Sequence, residues 1–390
     1  MLFRSIVVSD SPTMPNYPII QAALEQAVAD GVFPGAVLAV RHGGASIDVY
    51  AAGRLSSAAT ARSVQAATIY DLASLTKPLS TVTSLMLLIQ AGRCQLYDRV
   101  DSILPETTES PVATASLWHL LTHSAGLPGW RGYYERLSPH AVLPATEEGR
   151  RYAREAVLGM IRDEALIYER GTRSLYSDLG FMLLGMIVER CSGLPLQQFF
   201  RDRIGSLAGV LPLGFVPVEW MDDFLQRARR DGGDVAPTEH DVWRSRTLCG
   251  EVHDENAAAL GGVAGHAGLF GTAEAVLAVT GVWLQAYHRR PSVLDAALVA
   301  EFIRRQAAVP GSSWALGWDT PSPPSSAGRF LSAVSFGHLG YTGTSVWIDP
   351  LRELEIVLLS NRVHPTRTNE RIKAFRPLIH ELVYREYTGE

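Results

Sequence analysis

With 390 residues, 47% hydrophobic and 19% charged, the chain has ordinary globular composition and enough length for one large domain or two smaller ones. Its formal net charge of -5, from 35 Lys and Arg against 40 Asp and Glu, lacks the basic footprint that a nucleic-acid partner requires. No apolar run reaches the length of a membrane span; the strongest, Leu85 to Ile89, is bounded by Thr83-Ser84 and Gln90. The expected partner is a small-molecule or peptide substrate, and nothing in the sequence assigns an oligomeric state. Met1 to Asp10 carries one basic residue and an apolar patch too short for a signal-peptide core, so a cytoplasmic location is expected, with a periplasmic one left open. Cys94, Cys191 and Cys249 are widely scattered and read as buried thiols.

Pro18 to Asp30 shows helical spacing and is ended by Gly31 and Pro34. A hairpin follows: Ala36 to Val40 is a buried-strand run, His42-Gly43-Gly44 supplies the turn, and Ile47 to Tyr50 returns with alternation. Ser74-Leu75-Thr76-Lys77 then opens a helix that is apolar on nearly every side from Leu79 to Ile89, with Gly92 as its C-cap. From Tyr97 to about Val276 the signals are helical with irregular connections and no strand series, including Ser116 to Leu121 and Phe181 to Val188. Arg227 to Glu251, rich in Arg and Asp, reads as a solvated surface insertion. Strands resume at Phe330–Phe336, Thr344–Ile348 and Leu354–Leu359, and a last helix, Asn369 to Glu386, accommodates Pro377 as a kink. Strands at both ends with helices between predict an α+β fold. Residues 1–96 and 277–390 would share an antiparallel sheet flanked by helices, 97–276 would form a mostly helical lobe, and a cleft would lie between them.

Four clusters carry chemistry. Ser74 and Lys77, three apart, share one helix face and can exchange a proton, as an activated serine requires. Tyr176 lies in the polar turn Ser174 to Gly180, ahead of a helix starting near Phe181. Gly337 to Ser345 is a glycine-punctuated segment inside a predicted strand, where missing side chains admit a ligand or another backbone. Gly261 to Phe270 is a glycine-rich loop containing His266.

In this order, Ser74-Leu75-Thr76-Lys77, Tyr176-Ser177-Asp178 and His338-Leu339-Gly340 resemble the three elements of the serine β-lactamase and penicillin-binding protein superfamily, in particular its class C-like branch of esterases and D,D-peptidases. Leu120 to Leu127 and the loop around His266 extend the likeness from about Pro18 to the chain's end. The resemblance implies a β-lactamase/transpeptidase-like fold and a serine hydrolase that works through an acyl-enzyme, without metal or organic cofactor, on an ester or a D-amino-acid amide. Ser74 would be the nucleophile, Lys77 partly neutral or hydrogen-bonded to it, and Tyr176 the proton relay, as phenol or phenolate. The backbone N–H groups of Ser74 and Tyr341 would form the oxyanion hole, and Gly340 and Gly343 would let substrate lie along the strand. His338 stands where many relatives have Lys, and Asp178 where Asn is usual; both changes weaken β-lactam recognition while leaving the residues at the substrate side. Trp318, with Trp314, would line the cleft or pack between the lobes. His123 and His266 read as structural, Asn361 to Pro365 likewise, and His253-Asp254-Glu255 is not spaced to converge on a metal. Competing readings are a β-lactamase, a penicillin-binding sensor that acylates with little turnover, and an acyltransferase.

Overall fold

The computed structural model describes residues 17–44, 46–140 and 142–390; the N-terminal stretch read for export lies outside them. In chain order the strands are β1 (Gly35–His42), β2 (Asp48–Gly53), β3 (Tyr70–Asp71), β4 (Leu213–Phe215), β5 (His240–Asp241), β6 (Arg246–Thr247), β7 (Leu269–Gly271), β8 (Phe336–Leu339), β9 (Ser345–Asp349) and β10 (Leu354–Ser360). The main sheet is antiparallel with order β2-β1-β10-β9-β8, so strands from the two ends of the chain lie side by side. Both faces of that sheet are buried. Val37, Ala39, Val357 and Leu359 point into one core, and Ala36, Leu38, Val40, Ile356 and Leu358 point into a second beneath the helices Pro18–Ala29 and Ile372–Thr388. Side chains alternating across each strand thus supply two apolar layers, which is why the run at Ala36–Val40 carries no polar residue. The helix Ala273–Tyr287 packs on β1 and β10 and runs across the expected 276/277 boundary. These features form the α+β, β-lactamase/transpeptidase-like architecture.

Four local expectations need correction. Of Phe330–Phe336 only Phe336 is strand; upstream, the Ser332 N–H and hydroxyl both donate to the Asp349 carboxylate, at 2.7 and 2.8 Å, which holds that backbone in a turn. Gly337 to Ser345 is the β8–β9 hairpin rather than one strand. The middle of the chain does hold strands, and β3-β7-β4 form a small sheet beneath the Ser74 turn. The helix expected near Phe181 begins at Asp178, where the Ser177 hydroxyl accepts the Gly180 N–H at 3.3 Å.

Arg227 to Glu251 is solvated only in part: Arg227, Arg229, Arg230 and Asp231 are exposed, but the segment then turns inward. Arg244, Asp241 and Glu251 are buried, and the Arg244 guanidinium donates to Asp241, Glu251 and the carbonyls of Val252 and His253. The Arg244 charge is consumed internally, and the chain leads from there to His253 at the site.

Candidate active site

Ser74 lies in a single 3-10 turn, Ala73–Leu75, directly after β3. Ala73 has φ +48, a left-handed conformation that costs a residue bearing a Cβ about 1–2 kcal/mol. Asp71 holds it there: one carboxylate oxygen accepts the Ala73 N–H at 2.8 Å and the other the His253 N–H at 2.6 Å. From the β8–β9 hairpin, Thr342 and Thr344 donate to the carbonyls of Asp71 and Leu72, at 2.8 and 3.1 Å. The strained turn is therefore clamped by segments far apart in the chain.

Lys77 opens a π-helical turn, Lys77–Val82, in which Pro78 supplies no N–H. Its ammonium is buried; it donates to Ser74 Oγ at 3.0 Å and to the His266 carbonyl at 3.2 Å, and it forms an ion pair with an Asp178 carboxylate oxygen 2.7 Å away. Burial pushes the amine down, but Asp178 and then Tyr176 push it up by more, so Lys77 is held as a cation. Of the two states expected for Lys77, partly neutral or hydrogen-bonded to Ser74, the second is the one present, because the desolvated pocket carries its own counter-charge.

The Tyr176 ring lies 4.7 Å from Lys77 Nζ, and Lys77 and Ser74 both act on its hydroxyl to favour the ionised form. Burial raises its pKa by more than Lys77 lowers it, so the resting group is the phenol. His123, Trp314 and His338 surround the ring, with centroids 4.7, 5.6 and 6.0 Å away. His123 Nδ1 accepts the Ser177 N–H at 3.1 Å, so this histidine sets the turn that carries Tyr176.

Asp178, expected at the substrate side, lines the cavity and is also the ion-pair partner of Lys77. His338 is corrected from a substrate contact to a buried support: it is 2% exposed, and Nδ1 donates to the Leu339 carbonyl at 2.8 Å. Burial, then Lys77, pushes it down to about 3, so it stays neutral. Gly340 makes room for the protein itself, since a Cβ there would strike Thr344 Oγ1 and the Leu72 carbonyl; Gly343 similarly faces Ser360 and Arg362. Trp318 is fully buried between Trp283 and Phe336, at 5.3 and 5.1 Å, and is core rather than cleft; Trp314 is the tryptophan that reaches the site.

Ser74, Tyr176 and Asp178 form one wall of a cavity of about 300 Å³, and half-exposed Tyr341 another. His253, Asp254 and Glu255 line it as well, with Trp130 and Arg367 completing the rim. Asp254 accepts from His266 Nε2 at 2.9 Å, and Arg367 is engaged by Glu239 and Glu255 at 2.5 and 2.7 Å. Among the described residues no group of three or more His, Cys, Asp or Glu is arranged to hold a metal ion. A larger hollow of about 570 Å³, lined by Arg54, Ser56 and His364, borders none of the Ser74 cluster. Sequence reasoning passed over Asp71, Trp130 and Arg367, whose single letters carry no pattern; Asp71, three residues before Ser74, was the one within reach of the motif.

The family model described as Beta-lactamase matches residues 20–380. An N-acetylmuramyl-L-alanine amidase of Bacillus subtilis (strain 168) is 32% identical over 371 residues, covering 88% of this chain and 80% of that protein. A Salmonella agona protein named "Putative D-alanyl-D-alanine carboxypeptidase" is 30% identical over 322 residues, covering 78% and 72%. In fold, the chain is similar to EstCE1, a hydrolase with promiscuous acyltransferase activity, with TM-score 0.68, 21% identity and coverage of 93% and 97%. With the family match spanning nearly the whole chain and two relatives at 30% identity or more, the chain belongs to the β-lactamase family of hydrolases.

Proposed function

We propose that this chain is a serine hydrolase that forms an acyl-enzyme on Ser74, acting on an ester or on a D-amino-acid, peptidoglycan-like amide. The observation that carries the reading is Ser74 Oγ placed 3.0 Å from Lys77 Nζ, with the Tyr176 ring 4.7 Å from the same ammonium and lining the same cavity as Ser74. Once the Lys77–Tyr176 pair has released one proton to solvent, Ser74 Oγ attacks the carbonyl carbon while its proton passes to the pair; that proton is then given to the leaving oxygen or nitrogen as the scissile bond breaks. Water reverses these roles and frees the acid. The developing oxyanion faces the N–H groups of Ser74 and Tyr341, where one such donor contributes about 3–4 kcal/mol in a measured case. The amide half of the reading is supported by the names of the amidase and carboxypeptidase relatives.

Ser74→Ala is expected to abolish covalent labelling by a fluorophosphonate while the folded circular-dichroism spectrum is retained. Labelling at the wild-type level would overturn the nucleophile assignment.

A further inference from the structure

Of the 35 Lys and Arg residues in the chain, only Lys77 and Lys373 are lysines. Lys373 is exposed and pairs with Glu370 at 2.6 Å, whereas Lys77 is buried beside the nucleophile. Two of the three oxygens around Lys77 Nζ are neutral, the Ser74 hydroxyl and the His266 carbonyl. The third, 2.7 Å away, belongs to Asp178 and brings a formal charge into direct contact with the amine. The other titratable groups acting on Lys77 come from separate elements: the Tyr176 phenol, the imidazoles of His123 and His338, and Asp254 across His266.

We infer, resting on the acyl-enzyme reading above, that Asp178 is a positioning residue that sets the pH at which Ser74 becomes nucleophilic. Before the cluster can take the Ser74 proton it must release one of its own to solvent, leaving either a Lys77 amine or a Tyr176 phenolate. Those two forms have equal proton counts and titrate as one macroscopic step. A carboxylate in contact with Nζ holds that proton on. Once it has left, the Oγ–carbonyl carbon bond forms, the Ser74 proton fills the vacancy, and it is passed to the leaving group as the C–O or C–N bond breaks. An opposite charge at this range raises the step by about one to three pH units, so removing it moves the acid limb of acylation the same distance toward lower pH. A residue that only braced the helix would change the height of the profile and leave its limb in place.

The test uses the full chain, with kcat/KM for a neutral p-nitrophenyl ester measured across pH and lysine side chains followed by NMR after [ε-13C]lysine labelling. Two lysines give two signals, and Lys77→Arg assigns them. In the wild type, Lys77 is expected to remain an ammonium up to or above the ordinary lysine range, about pH 10.4. In Asp178→Asn both the Lys77 signal and the acid limb should shift down by about one unit or more, and in Asp178→Glu both should stay near their wild-type positions. An unmoved limb in Asp178→Asn, or an equal shift in Asp178→Glu, overturns the inference. Should Asp178→Asn not fold, a wild-type Lys77 that titrates well below the ordinary range overturns it instead. Either failure with Ser74 still labelled by fluorophosphonate removes the role of Asp178 and leaves the acyl-enzyme reading standing.

Discussion

The Arg376 guanidinium donates to the Gly340 carbonyl at 2.7 Å and to the Thr344 carbonyl at 2.8 Å, clamping the β8–β9 turn from the C-terminal helix. A peptide unit is planar and trans, so fixing the Gly340 carbonyl also fixes the Tyr341 N–H on its opposite side. Arg362 secures the next unit by donating to the Tyr341 carbonyl at 2.9 Å. One proposed oxyanion donor is thereby aimed by two arginines that belong to neither catalytic motif.

Arg376→Met is accordingly expected to lower acylation about tenfold or more, since loss of a whole oxyanion donor costs roughly 10²–10³. The burst rate of p-nitrophenol release, measured on folded protein, checks it. An unchanged burst would mean that the Tyr341 N–H is held without Arg376.

Tyr176→Phe keeps the ring between Lys77 and the Trp314 face and removes only the hydroxyl. Acylation should fall by about 10²–10⁴, the usual worth of a positioned acid–base group, with little change in thermal midpoint. Near-normal turnover would count against the relay.

Stability should fall on acidification below neutral pH, and buried histidines should account for much of the loss. His338 and His380 are pushed by burial down to about 3 and about 4, below the unfolded value of about 6.5. Between those limits the unfolded chain binds protons that the native state refuses, so stability rises with pH up to about 6.5 and is lost as pH falls through that window. Each such histidine costs about 2 kcal/mol between pH 7 and pH 5. Urea unfolding of His338→Gln at the two pH values should show a pH dependence weakened by about that amount.

Esters should be turned over faster than penicillins or nitrocefin. A β-lactam presents a carboxylate, and two cations near Ser74 are already committed: Lys77 to Asp178, and Arg367 to Glu239 and Glu255. Nitrocefin hydrolysis matching that of a short p-nitrophenyl ester would refute this.

The terminal sheet and the order of the three motifs were legible because each rests on a local signal, alternation in Ala36–Val40 and contiguous letters at Ser74, Tyr176 and His338. What escaped depends on long-range partners. Strands of two or three residues, such as β3 and β7, are too short to show a period. Arg244 reads as solvated by composition, yet its guanidinium is saturated inside the fold. Trp314 and Trp318 look equivalent in sequence, and the left-handed turn at Gly317, φ +78, sends one to Tyr176 and the other to the core. The scarcity of lysine was a readable signal for Lys77 that motif spacing alone did not use.

The clamp on the serine turn also bears on when the protein becomes active. Asp71 and Leu72 are tied to Thr342 and Thr344, residues 271 and 272 positions downstream. β1 is likewise paired to β10. During synthesis Ser74 therefore emerges long before the hairpin that fixes its backbone. A chain halted before β8 carries Ser74, Lys77 and Tyr176 but not Tyr341, the proposed oxyanion donor. On the proposed reading a ribosome-bound or C-terminally clipped chain without the β8–β9 hairpin should be inert toward fluorophosphonate even though every residue of the Ser74–Lys77–Tyr176 cluster is present.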